Sequence, residues 1–291
     1  MPSTQIQWFP GHMAKTRRLI TENLSAVDIV IEILDARIPY SSQNPEIRRL
    51  CKDKPMLTLL SKSTLSDANA NEKWSNAYSK AGRNCIFIDS ISGKGIKDIG
   101  TTVREILSDK VEKYENKGMN KNLRAMIVGI PNVGKSSLIN RLAGTKKARV
   151  ENRPGVTVNK QWVSTKIGLD LLDMPGVLWP KFEDEKVGES LAITGAIKDD
   201  VTDVERIATV LVGRLRRLYP ELLSGRYKLG DISQYEDLED WELTEVIGAK
   251  RGFLVSGGEV NYERTSNMLL DEFRAAKIGA ITLEMPGDYA L

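Results

Sequence analysis

The sequence has few of the residues that build disulfide frameworks and metal centres. Its 291 residues include two cysteines, Cys51 and Cys85, and a single histidine, His12. The cysteine spacing matches no disulfide or metal-binding pattern. We therefore expect two buried thiols in a reducing cytosol.

Long apolar runs are also absent. No segment approaches the length needed to span a membrane, and the N-terminus lacks the apolar region of a signal peptide, so we expect a cytoplasmic protein without membrane contact. The net charge of +3 permits nucleic-acid binding but does not argue for it. Hydrophobic residues make up 41% and charged residues 28%, as in ordinary soluble proteins, and the length suggests about two domains.

One stretch carries a strong chemical signal. Residues 129–136 match the phosphate-binding pattern G-x-x-x-x-G-K-[ST], between an apolar run expected to be a strand and a segment expected to be a helix. The glycines let backbone N–H groups surround a phosphate, Lys135 neutralises its oxygens, and the Ser136 hydroxyl is placed to bind Mg²⁺. The expected phosphate-binding residues are Asn132, Val133, Gly134, Lys135, Ser136 and Ser137.

Apolar runs alternate with helical patterns around this loop. Strands are predicted at 27–35, 55–60 and 84–89, helices at 46–51, 71–81 and 96–114, and a hairpin turning at Gly168. This alternation predicts an α/β fold with a mainly parallel sheet and ligand groups at the carboxyl ends of its strands. From about residue 187 the period becomes helical, and helices are predicted near 188–197, 204–219, 240–248 and 262–276. We predict an N-terminal arm at 1–24, an α/β domain at 25–185 and an all-helical domain at 186–291.

A second motif follows the loop at the end of an apolar strand. Asp173-Met174-Pro175-Gly176 has the form D-x-x-G, in which the aspartate suits an outer contact to Mg²⁺ and the Gly176 N–H can meet a γ-phosphate. Thr157 lies between the two motifs and can add a second hydroxyl to the metal. We therefore predict Ser136, Thr157 and Asp173 as the Mg²⁺ site.

Several motifs in one order resemble the ribosome biogenesis GTPase A family, whose members are circularly permuted GTPases. The motifs are WFPGHM at 8–13, DAR-x-P at 35–39, GIPNVGKSS at 129–137, PGVT at 154–157 and DMPGVLWP at 173–180. The resemblance covers essentially the whole chain. It implies that the guanine-reading loops precede the phosphate loop, and that Ser61, Lys62, Thr64, Ser90 and Ile91 face the base.

The guanine loop departs from the family pattern. The family has N-K-x-D, whereas this chain has Ser61-Lys62-Ser63-Thr64. The usual aspartate accepts hydrogen bonds from guanine, a charge-assisted recognition. The loss of such a bond typically costs about 1.5–3 kcal/mol. From these four residues we expect weak or relaxed guanine preference with phosphate binding retained.

The resemblance assigns further roles. Val177 follows the D-x-x-G where Ras-like enzymes place a water-orienting glutamine, and the family implicates instead the histidine of G-H-M, here His12. Asn132 resembles the asparagine that binds K⁺ in potassium-stimulated GTPases; its alternative role is to brace the loop backbone. Ribosomal RNA is expected to contact a basic surface of the helical domain, although the residues alone indicate only solvated faces. The surface comprises Arg214, Arg216, Arg217, Arg226, Lys228, Lys250 and Arg251.

The sequence therefore favours a GTP-binding and GTP-hydrolysing assembly factor of the large ribosomal subunit that binds GTP, GDP and ribosomal RNA, with a monomer as the default. The bound nucleotide would control the affinity of the protein for ribosomal RNA. One alternative is a phosphate-loop NTPase of relaxed base choice. Another is a non-catalytic RNA-binding scaffold that holds nucleotide for structure only.

Overall fold

The structure, a computed structural model, describes residues 10–119, 121–144, 162–179, 182 and 184–289. None of the helices in these ranges is long and apolar enough to cross a membrane. The strands are β1 Ile29–Asp35, β2 Met56–Ser61, β3 Cys85–Phe87, β4 Leu123–Gly129, β5 Trp162–Ser164 and β6 Leu169–Asp173. The helices are α1 Pro10–Leu24, α2 Pro45–Leu50, α3 Ala68–Lys80, α4 Asp98–Ile106, α5 Ser108–Glu115, α6 Lys135–Ala143, α7 Glu185–Ile193, α8 Val204–Leu218, α9 Pro220–Tyr227, α10 Asp240–Lys250 and α11 Tyr262–Arg274.

The six strands form one sheet in the order β3-β2-β1-β4-β6-β5. All neighbours pair in parallel except β5, which runs antiparallel to β6. β4, which leads into the phosphate loop, therefore lies beside β1 although the chain forms three strands before it. The predicted α/β fold with a mainly parallel sheet and a permuted motif order is confirmed.

β1 is buried along its whole length because it lies in the interior of a sheet covered by helices. Its apolar residues explain most of that burial, and the two exceptions are Glu32 and, at its end, Asp35. The Glu32 carboxylate is 1% exposed and accepts hydrogen bonds from Arg48 of α2 at 2.7 and 3.0 Å. This pairing satisfies a charge that would be costly to bury alone.

The single helix predicted at 96–114 is two helices, α4 and α5, separated by Leu107. Leu107 leaves helical geometry and is buried, and α4 buries Ile99 and Val103. No residue of α5 is buried. Since α5 has no apolar face to pack against the core, burial does not favour one continuous helix with α4. An ion pair between Lys110 and Asp28 holds α5 instead.

The described chain divides into two compact units. The sheet unit contains the described residues up to 179 and those from Glu284 onward; the helical unit contains 182 and 184–283. The helical unit has its own core, formed by Leu191, Ile207, Leu211, Leu215, Leu243, Ile247, Leu269 and Phe273. The three predicted domain ranges stay predictions.

The four helices predicted in the C-terminal part are present as α7, α8, α10 and α11, and the structure adds α9. Pro220 stands at the first turn of α9, directly after Tyr219. Proline is favoured there because its missing N–H would have no helical partner. No helix was predicted between 219 and 240, where α9 lies.

The C-terminal segment of the sheet unit is held by Glu284. Its carboxylate is 1% exposed and accepts the N–H groups of Tyr40 at 2.8 Å and Ser41 at 3.1 Å. The Trp74 indole N–H donates to the Glu284 carbonyl at 2.9 Å, and Tyr289 stacks on Tyr40. The chain thus returns to the loop that follows β1.

We expect Glu284→Ala to lower the free energy of unfolding by about 2–4 kcal/mol, because it leaves the N–H groups of Tyr40 and Ser41 without their acceptor. Urea denaturation measures the change. Glu245→Ala, which removes an exposed carboxylate of α10, is the control and should change stability by less than about 0.5 kcal/mol. Equal stability of the two variants would show that the Glu284 contacts do not hold the segment.

Candidate nucleotide-binding site

The phosphate loop leaves β4 at a position that only glycine fits. Gly129 has φ +154°, and a Cβ built there would lie 2.5 Å from the carbonyl oxygen of Ile33 in β1. Asn132 has φ +57° and Gly134 has φ +102°, so the loop passes twice more through left-handed geometry before α6 begins. Such a turn, followed directly by a helix N-terminus, is the backbone form that phosphate-binding loops use.

Lys135 is buried at the start of α6. Its ammonium donates to the carbonyl oxygens of Gly129 at 3.1 Å and Ile130 at 2.7 Å. Burial lowers the pKa of Lys135 to about 8, and the nearby carboxylate of Asp173 acts in the opposite direction. The amine therefore lies beside the loop that would receive the phosphates.

The D-x-x-G motif lies against this loop. A Cβ built on Gly176 would lie 2.6 Å from the Lys135 Nζ and 3.1 Å from the Pro131 backbone. The glycine therefore permits a close approach that no other residue type allows. The structure brings together the predicted Lys135 and Gly176.

Asp173 ends β6, where the Met174 N–H donates to the Ile127 carbonyl of β4 at 3.2 Å. Burial raises the pKa of Asp173, while the charge of Lys135 opposes this shift. The Ser136 hydroxyl and the Asp173 carboxylate are hard oxygen ligands of the kind Mg²⁺ uses together with phosphate oxygens and water. In the described ranges no three His, Cys, Asp or Glu residues cluster as a metal site, and this set does not need such a cluster.

The predicted base-reading loop, residues 61–64, meets the phosphate loop through Ser61. Its hydroxyl lies 2.6 Å from the carbonyl oxygen of Val133 and 2.9 Å from that of Leu34. Serine thus reaches the phosphate loop although it is shorter than the asparagine of N-K-x-D. The contact joins the base end and the phosphate end of the site.

Lys62 is anchored by a buried ion pair that the sequence analysis did not identify. Its ammonium lies 2.9 Å from the Asp35 carboxylate, which also binds the Arg37 guanidinium at 2.7 and 2.9 Å. Burial would raise the pKa of Asp35, but the charges of Arg37 and Lys62 lower it far below its usual range. The D-A-R motif therefore fixes the start of the base-reading loop.

The second base loop follows β3 and contains Ser90 and Ile91. The guanidinium of Arg141 in α6 donates to the carbonyl oxygens of Ser90, Ile91 and Ser92 at 2.9–3.3 Å. Arg141 was missed because its side chain reaches a loop some 50 residues earlier in the chain. Asp89, directly before Ser90, was missed as well, although a carboxylate at a strand end is a signal the sequence did contain.

Two predicted residues cannot be placed in the site. Thr157 lies outside the described residues. His12 lies on α1, where the structure describes its backbone but not its side chain. Their roles stay predictions.

Comparison with known proteins identifies the family. Residues 124–218 match the family described as 50S ribosome-binding GTPase. The chain is 46% identical to ribosome biogenesis GTPase A of Bacillus pumilus, over 97% of this chain and 99% of the relative. It is 47% identical to the protein of that name from Priestia megaterium, over 97% and 98%. The chain belongs to the ribosome biogenesis GTPase A family.

Other matches agree with this family. Mitochondrial ribosome-associated GTPase 1 of Mus musculus is 33% identical, over 96% of this chain and 90% of its own length. The GDP-bound structure of TM YlqF has a TM-score of 0.67 and 26% identity, over 93% of this chain and 100% of that one. The 50S ribosome-binding GTPase match starts inside β4, just before the phosphate loop, and leaves out both base loops. A match that begins at the phosphate loop is expected for a circularly permuted member, in which the base-reading loops come earlier in the chain.

We expect Gly176→Ala to weaken nucleoside triphosphate binding about ten- to hundredfold more than diphosphate binding, because its Cβ would crowd the Pro131 backbone and move the Gly176 N–H away from the γ-phosphate position. Calorimetric titration with a non-hydrolysable GTP analogue and with GDP measures the difference. Gly225→Ala is the control, since a Cβ there meets no atom within 4 Å. Equal weakening of both nucleotides would contradict a specific γ-phosphate role for Gly176.

Proposed function

We propose that this protein hydrolyses GTP and acts in the assembly of the large ribosomal subunit, in the cytoplasm. The observation that carries the proposal is the intact phosphate loop, packed against D-x-x-G, in a chain whose full-length relatives are named ribosome biogenesis GTPase A. The reaction is attack of water on the γ-phosphate of GTP.

The described residues supply most of the required chemistry. Lys135 neutralises the β- and γ-phosphate oxygens, and the Gly176 N–H contacts the γ-phosphate. Ser136, Asp173 and Thr157 would hold Mg²⁺, which when bound neutralises phosphate charge. Because Gly176 lies against Lys135, a change at the γ-phosphate is transmitted to the segment that leads into the helical unit.

His12 is proposed to orient or polarise the attacking water. The support is chemical: Val177 has an apolar side chain and is buried, so the position after D-x-x-G cannot do this. Asn132 is proposed to bind K⁺. Its support is its exposed position in left-handed geometry inside the phosphate loop.

Turnover of GTP and ATP, with and without purified large-subunit particles, tests the proposed function. We expect slow GTP turnover that the particles stimulate, and faster turnover in KCl than in NaCl. Equal turnover of ATP and GTP would favour the NTPase of relaxed base choice. No turnover under any condition would favour the non-catalytic scaffold.

The same assay tests His12. We expect His12→Ala to lower stimulated turnover about 100-fold or more at unchanged nucleotide affinity, as loss of a general base or water-orienting group does. Lys15→Ala, on the exposed surface of the same helix, is the control. Wild-type turnover of the His12 variant in the presence of particles would refute this role.

The seven basic residues of the predicted RNA surface divide into two groups. Arg214 binds Glu189 at 2.7 Å, Arg216 binds Asp240 at 2.6 Å, and Arg226 and Arg251 both bind Glu272. These four arginines are paired with carboxylates of the same unit. The exposed members of the predicted RNA surface are Arg217, Lys228 and Lys250.

We propose that these three exposed residues contact phosphates of ribosomal RNA. Replacing all three by alanine should weaken RNA binding and reduce the slope of log affinity against log salt concentration by about 3, since each phosphate contact contributes close to one unit. Fluorescence titrations of large-subunit RNA at several KCl concentrations measure the slope. An unchanged slope would place the RNA contact elsewhere.

The control removes the same charge from the sheet unit. Lys52, Lys73 and Lys80 are exposed there, and their replacement by alanine should leave the slope nearly unchanged. An equal reduction by both triple variants would indicate attraction by net charge rather than a defined surface.

A further inference from the structure

A carboxylate that the N-K-x-D pattern does not include lies at the base end of the site. Asp89 follows β3, whose end is held against β2 by a hydrogen bond from the Ile88 N–H to the Leu60 carbonyl at 2.8 Å. Asp89 is 6% exposed, and the Thr64 hydroxyl donates to its Oδ2 at 2.9 Å. The loop that lacks its aspartate is thus hydrogen-bonded to another one.

The direction of this hydrogen bond determines what Thr64 offers a ligand. An ionised carboxylate only accepts, so Thr64 uses its single proton on Asp89 and its oxygen keeps lone pairs that accept. Burial would raise the pKa of Asp89, but hydrogen bonds from Ile91, Ser92 and Thr64 lower it below the ordinary value. Asp89 is therefore charged at neutral pH, and Thr64 acts as an acceptor.

Asp89 also has acceptor capacity of its own. Its Oδ2 accepts from Thr64 and from the Ser92 N–H at 3.2 Å, its Oδ1 accepts the Ile91 N–H at 3.0 Å, and the Ser92 side chain also hydrogen-bonds the carboxylate. Each carboxylate oxygen has two lone-pair sites. Because the Ser92 hydroxyl can rotate away, the carboxylate can accept one hydrogen bond from a ligand in addition to those from Thr64 and the two backbone N–H groups.

A donor lies next to these acceptors. Within the described part of the chain, no acceptor is recorded for the Ser90 N–H, while Arg141 binds the carbonyl oxygen of the same residue at 3.1 Å. The base end thus combines two acceptors with one backbone donor. Guanine presents the complement, two N–H donors beside the O6 acceptor, whereas adenine presents an amino donor at the corresponding position.

We infer that Asp89 and Thr64 form a guanine-selecting pair in which Asp89 supplies the carboxylate that N-K-x-D would place at position 64. The inference rests on the proposed function and names the residues that determine its base specificity. It replaces the expectation of relaxed base choice, which considered residues 61–64 alone. Guanine preference is retained because the carboxylate lies on the second base loop, at Asp89, and a hydroxyl lies at position 64, where N-K-x-D has the carboxylate.

Titrations with GDP, IDP and ADP test the pair, because IDP lacks the exocyclic amine of guanine. We expect the wild type to prefer GDP over ADP. Asp89→Asn should lower GDP affinity about ten- to hundredfold and leave ADP affinity nearly unchanged, since a charge-assisted hydrogen bond is lost. Asp53→Asn, which changes an exposed aspartate outside the site, should behave as wild type.

A single and a double variant test whether the carboxylate of Asp89 replaces the one that N-K-x-D has at position 64. Thr64→Asp alone should weaken GDP binding, because it places two carboxylates within hydrogen-bond distance of each other. The double variant Thr64→Asp with Asp89→Ser moves the carboxylate back to position 64 and should recover GDP preference to within about threefold of wild type. The two changes are then strongly non-additive.

Two results would overturn the inference that Asp89 and Thr64 select guanine. One is equal loss of GDP and ADP affinity in Asp89→Asn, which would make Asp89 only an anchor of the loop. The other is additive losses in the double variant. Failure of the proposed function is separate, since it requires that wild type fail to bind or hydrolyse GTP, whatever the variants do.

Discussion

The parallel pairing of β4 with β1 is the constraint on which the rest of the structure depends. It aligns Ile33 with Gly129, so that the phosphate loop starts beside the end of the strand that precedes the D-A-R motif. The Gly129 backbone then approaches the Ile33 carbonyl so closely that a side chain would not fit. A strand formed late in the chain thereby occupies the middle of the sheet, and the carboxyl ends of β1, β2, β4 and β6 meet at one edge, where α/β sheets bind ligands.

That edge is held together by polar side chains that connect distant parts of the chain. Ser61 contacts the phosphate loop, and Lys62 is fixed by the buried Asp35–Arg37 pair. A buried ion pair contributes little net stability because desolvation offsets the attraction, but it is costly to break. Its main effect here is geometric: it anchors Lys62, in the predicted base-reading loop, to Asp35 at the end of β1. The nucleotide site is therefore preorganised by contacts that involve no nucleotide.

Much of the fold could be predicted because its signals are local. Apolar runs placed the strands, and the 3.6-residue period placed α8, α10 and α11. Leu107 and α9 were not predicted, because a helix break or restart depends on which face meets the core. The RNA surface was predicted too broadly for a similar reason: the Glu189, Asp240 and Glu272 carboxylates that engage four of its arginines are on other helices. Sequence alone cannot distinguish an arginine that faces solvent from one that faces a carboxylate.

The sequence by itself determined the phosphate end of the site, since the phosphate loop and the D-x-x-G motif are short segments whose residue types follow from backbone geometry and charge. It also indicated the permuted motif order. Only the tertiary structure decided the base end and the C-terminal segment. Thr64 and Asp89 are 25 residues apart, and Tyr40 and Glu284 are 244 apart. Such pairs meet because parallel strands bring their carboxyl ends to one edge, and residue spacing does not reveal which strands are neighbours.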